Sequence, residues 1–180
     1  MRRVLILPLV SVALAACGGD EAQQQRSESD QPCPEGTPSV TALDVIGPTP
    51  SGCIVDRGDQ QAIGEVAGRI ADSIGTTMRD HDAAVLAREG ASVGTVVLVV
   101  NATKRVPSDE HVIRSMTASE EKLAVTGENI TVGGAEGRLS HALDGSYVAT
   151  ARAGECALVM LMDNRERRLR NAAKLVANDG

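Results

Sequence analysis

Phenylalanine and tryptophan are missing from this 180-residue chain, and Tyr147 is its one tyrosine. Sugar and base recognition use aromatic faces as stacking platforms, so a carbohydrate module or a single-strand nucleic-acid site is a poor expectation. The core has to be built from Val, Leu, Ile, Ala and Met instead. Basic residues are outnumbered, 18 Lys and Arg against 24 Asp and Glu. The formal net charge is −6, no basic stripe compensates, and phosphates would repel such a surface. Several catalytic signatures are also absent. No C-x-x-C pair offers metal-ligand spacing. No serine sits in a G-x-S-x-G elbow. The glycines of "GGAEG", Gly133 to Gly137, lack the spacing and the strand-to-helix context of a phosphate loop, and read as turn residues.

What the chain does have begins at its first residues. Arg2 and Arg3 precede an apolar run from Val4 to Ala16. A helix of that length covers about 20 Å, too short for a ~30 Å hydrocarbon core. A positive head, a short apolar middle and small residues at the end make a secretory signal peptide. Leu14-Ala15-Ala16-Cys17 closes it. These four residues resemble the lipobox of bacterial lipoproteins, a likeness confined to the leader and silent about the domain behind it. The resemblance implies cleavage before Cys17, a diacylglyceryl thioether on its sulfur, and a further acyl chain such as palmitate on its amine. One chain binds membranes marginally, whereas two or more hold stably. Gly18 to Gln31 then carries no aromatic or β-branched residue and cannot bury enough surface to fold, so it serves as a flexible tether.

Three segments follow: a leader over 1–16, a polar tether over 17–32 and a single globular domain over 33–180. With the leader go Arg2 and Arg3, which takes the charge to −8. Anionic headgroups would repel that surface, so attachment must come from acyl chains. Cys33, Cys53 and Cys156 remain, in a disulfide-permissive compartment. An odd count allows one bridge and one free thiol, in three pairings. Closing a short proline-rich loop favours Cys33 with Cys53, and Cys53 with Cys156 comes second.

Five prolines between residues 32 and 52 predict extended or looping chain, with at most a short strand near Val40 to Val45. Asp59 caps an amphipathic helix to about Met78, its apolar face carrying Ile63, Val66, Ala67, Ile70, Ala71 and Ile74. Ala83 to Glu89 and Val93 to Asn101 predict a hairpin. "TVVLVV", Thr95 to Val100, lacks polar alternation and should be a central strand covered on both faces. Ser108 caps a second helix that weakens over Thr117 to Glu121. Strands follow near Ile130 to Val132, Gly137 to Leu143, Ser146 to Arg152 and Cys156 to Met162, with Asp144-Gly145 as a hairpin turn. Asp163 to Glu166 has capping-box form and opens a last helix bearing Leu169, Ala172, Ala173 and Val176. The fold class is therefore α+β: an antiparallel sheet of five or six strands with three helices.

Few residues look chemical. Asp80-His81-Asp82 is the densest titratable cluster, but three successive side chains cannot converge on a metal, and a solvated turn explains them. His111 and His141 have no ligand at helical spacing. Asn101-Ala102-Thr103 and Asn129-Ile130-Thr131 match the glycosylation sequon, and Arg57-Gly58-Asp59 spells an adhesion tripeptide. Both are short enough to be chance. Arg165, Arg167, Arg168 and Arg170 form a charged helix face. No catalytic residue, metal or cofactor is expected. The expectation is a lipid-anchored protein of the cell membrane or outer membrane, facing the extracytoplasmic side, with a binding or accessory role toward an envelope protein and none toward nucleic acid. Two alternatives stand beside it: a carrier of small apolar or lipidic ligands, and an enzyme assembling Asp80, His81, His111, His141, Tyr147 or Cys156 in three dimensions.

Overall fold

A computed structural model of the chain describes residues 30–57, 59–108, 111, 112, 115, 123–142 and 145–176. The leader, Cys17, most of the tether, the stretch over Thr117 to Glu121 and the Leu143-Asp144 corner lie outside the described residues. Among the described residues, seven strands and three helices form an α+β fold. Helix α1 (Ala42–Ile46) and strand β1 (Cys53–Asp56) lead into α2 (Gln60–Ser73). Then come β2 (Met78–Arg88), β3 (Thr95–Ala102), β4 (Leu123–Val132), β5 (Ala135–Ala142), β6 (Tyr147–Ala153) and β7 (Ala157–Asp163). Helix α3 (Glu166–Leu175) ends the order.

All neighbouring strands are antiparallel, in the order β1-β2-β3-β7-β6-β5-β4. Two meanders therefore meet at β3 and β7, the two most apolar strands. Alternation sends Val97 and Val99 into one core with Val159 and Leu161, under α1 and α3. Leu98 and Val100 enter the other with Leu158 and Met160, under α2. The unbroken apolar run is thus explained: helices cover both faces of the middle strands.

The sheet has seven strands among the described residues where five or six were expected, β1 being one the sequence reading did not anticipate, and several elements differ in extent or kind. Residues 42–46 form a helix rather than a strand, because Thr41 and Asp44 make a reciprocal capping box that satisfies the first amides. Helix α2 stops at Ser73 and β2 starts at Met78, so Asp80-His81-Asp82 is strand rather than turn. Asp163 and Glu166 make no capping box; Arg165 is the N-cap and has no side-chain cap bond. Gly137 lies inside β5, as the strand expected from Gly137 has it and not as a turn residue of "GGAEG", and a Cβ there would collide with the Thr150 carbonyl. Gly133 and Gly134 do turn, both with positive φ. The Asp59 cap holds as expected, accepting from the Gln61 and Ala62 amides at 3.0 and 3.2 Å.

Candidate functional site

The disulfide joins Cys33 to Cys156, with Cα atoms 6.0 Å apart, and Cys53 is free. This corrects both expected pairings, Cys33 with Cys53 and Cys53 with Cys156. The reason is placement. Residues 31–33 lie beside the end of β3: Pro32 bridges Lys104, Cys33 N donates to Thr103 O at 2.9 Å, and Arg105 N donates to Gln31 O at 2.9 Å. The β6–β7 turn reaches the same spot, through Ala102 N to Cys156 O at 2.9 Å and Val106 N to Glu155 O at 2.8 Å. Cys53 pairs with Arg88, at the far end of β2 from Met78, which pairs with Ala102. That length of strand is about 30 Å. Loop-closure entropy changes slowly with loop length, so the fold decides the pairing.

Between Cys33 and α1 the chain forms a strap over β2 and β3. Asn101, 1% exposed, fastens it as a strand would. Its Oδ1 accepts from Val40 N and its Nδ2 donates to Val40 O, both at 2.9 Å. Nδ2 also donates to Asp80 Oδ1 at 2.6 Å, and Ser39 Oγ donates to Asp80 Oδ2 at 2.5 Å. Asp82 Oδ2 accepts from Ala42 N at 2.9 Å, at the start of α1. Sequence reasoning saw Asn101 as the end of a strand and as a sequon, and missed this clamp. The one signal was an amide closing an otherwise apolar run. Buried and doubly bonded to backbone, Asn101 is not presented for glycosylation.

The strap and the β6–β7 hairpin enclose a half-open groove of about 420 Å³. Pro34, Pro38 and Val45 form one wall, Ala153, Gly154 and Ala157 the other, and Asn101 lies between them. Cys156 is part of the lining and Cys33 adjoins it, so the disulfide ties the two walls together. Asp44 and Glu155 bring carboxylates to the groove. The Thr41 hydroxyl, then its backbone N–H, hold Asp44 below the usual aspartate range. Glu155 pairs with Arg105 at 3.1 Å.

The titratable residues weighed from sequence are dispersed. His81 points toward α2, where its Nε2 lies 3.1 Å from Gln60 O, on the face opposite Asp80 and Asp82. His111 lies in helical chain, and its amide donates to Ser108 Oγ at 3.4 Å. His141 stacks on Tyr147 at 4.5 Å between ring centroids, at the β5–β6 end. Cys156 is spent in the disulfide. The arginines of α3 are partly engaged. Arg168 binds Asp163 through two nitrogens at 2.6 Å, and Arg170 bridges Glu166 and Glu128 at 2.7 Å. Among the described residues no group of three acidic, His or Cys side chains is placed to hold a metal, and no helix is long and apolar enough to cross a membrane. Comparison with family models, curated proteins and solved structures finds no match.

Proposed function

We propose that this chain is a lipid-anchored envelope protein whose domain binds a protein partner and carries out no reaction of its own. The groove whose walls the Cys33–Cys156 disulfide joins carries this reading. It is a concave, largely apolar site with a few polar groups, in the size range of binding pockets. A disulfide there fits an exported protein, and the lipobox supplies the route. The dispersion of His81, His111 and His141 favours binding over catalysis, because acid–base chemistry needs its groups within hydrogen-bond reach of one substrate. The groove is lined by Pro, Ala and Val with charged members rather than by Leu and Met, which favours a peptide surface over a lipidic ligand.

Two measurements test the reading. Mass spectrometry of the native N-terminal peptide is expected to find acylated Cys17, and Cys17→Ser is expected to release the protein from membranes. A photoreactive residue at Ala153, in the groove, is expected to crosslink one protein in intact cells, while the same residue at Val93, at the far turn, does not. Unacylated Cys17, or adducts at 93 and none at 153, would contradict it.

A further inference from the structure

We infer that the groove takes a short, positively charged peptide segment of the partner, with a lysine or arginine side chain lying along it. The inference rests on the binding reading above and adds the ligand's chemistry. Val40, Val45, Ala153 and Ala157 give the groove an apolar lining, while its side-chain charges are carboxylates. Asp44 is held below its usual range by Thr41, whose N and Oγ1 donate to its Oδ2 at 2.8 and 2.7 Å, the one oxygen bonded among the described residues. Glu155, on the opposite wall, has 60% of its side chain exposed beyond its contact with Arg105. Arg152 also lines the groove, but strand alternation sends its side chain to the sheet face opposite Ala151 and Ala153, which pack in the α1–α3 core. It therefore does not cancel the carboxylates. Lysine and arginine match both demands, an aliphatic stem on apolar surface and a cationic head at a carboxylate. The wider field agrees, since a mature chain of charge −8 steers cations toward itself. Pro34 and Pro38 have no N–H to offer, so that wall reads side chains and does not add a strand.

The test uses the mature chain in neutral detergent, with acetyl-Ala-Lys-Ala-Lys-Ala-amide and its glutamate counterpart as probes, followed by amide NMR. The lysine peptide is expected to give saturable shifts at Val40, Asp44, Ala153 and Gly154, weakening as salt rises. Glu155→Gln and Asp44→Asn are each expected to weaken it about threefold. The asparagine keeps an acceptor for the Thr41 amide, so the cap persists, and Glu155→Gln is independent of that cap. Equal binding of the glutamate peptide, or groove amides that do not move, overturns the inference. If a partner still crosslinks at position 153 while the lysine peptide fails, the ligand class is wrong and the binding reading stands. If both fail, neither survives.

Discussion

The two ends of the sheet are held by different chemistry. At the end where β3 starts and β7 finishes, an ionic knot does the work. The Asp163 side chain is fully buried and accepts from Thr95 Oγ1 at 2.6 Å, from Arg165 N at 2.9 Å and from Arg168 at 2.6 Å. Burial pushes its carboxyl up, but the bonds from Arg168, Thr95 and the Arg165 amide outweigh that and hold it below the ordinary value. At the other end, the Cys33–Cys156 bond and the neutral Asn101 clamp hold the strap. The contrast teaches that reductant should loosen the strap end alone, while acid should loosen the Asp163 knot and also, through Asp44, weaken the α1 cap at the groove.

The largest break in this symmetry is expected from removing the disulfide. It closes a separation of 123 residues, and the chain-entropy model gives about 5 kcal/mol for a loop of that size. Cys33→Ser with Cys156→Ser should lower the urea midpoint accordingly, with the m-value reporting any denatured-state change. Next comes the opposite knot. Asp163→Ala removes the buried acceptor that Thr95, the Arg165 amide and Arg168 share, leaving Arg168 only its bond to Asn164 among the described residues, and should cost about 3 kcal/mol in the same unfolding assay. The pH profile sharpens it. A depressed carboxyl contributes fully above its unfolded value, near 3.8, and loses that contribution as pH falls through the lower folded value. Wild-type stability should therefore drop below about pH 4, and Asp163→Asn should flatten that drop while leaving the disulfide end unaffected.

Smaller effects separate the clamp from the cap. Asn101→Ala leaves the Val40 amide and carbonyl unpaired and should cost about 2 kcal/mol, read by denaturant unfolding, with faster exchange at the Val40 amide. Thr41→Ala removes one half of the α1 capping box and should cost about 1 kcal/mol in the same assay.

The sheet-forming half was legible because its signals are local. The apolar run of β3, the period of α2 and the chain reversal before β7 state their structure within a few residues. The strap was not legible, because long-range partners hold it. Val40 is fixed by a side chain 61 residues away, and Ala42 by one 40 away. Beta-strand expectation near Val40 to Val45 lost to a capping box that proline-rich context obscured. The disulfide was missed for the same reason, since short-loop entropy is a weaker term than the placement of strand ends. The groove inherits both failures: one wall is the strap, and the bond that ties it to the other wall was not the pairing favoured.

Residue-resolved hydrogen exchange on oxidised and reduced protein at neutral pH tests the central claim most directly. Reduction is expected to strip protection from the Cys33, Val40 and Arg105 amides while those of β3, β7 and the Asp163 knot keep theirs. Unchanged protection at the strap, or a uniform loss across the sheet, would contradict a groove built by the disulfide on an independently stable fold.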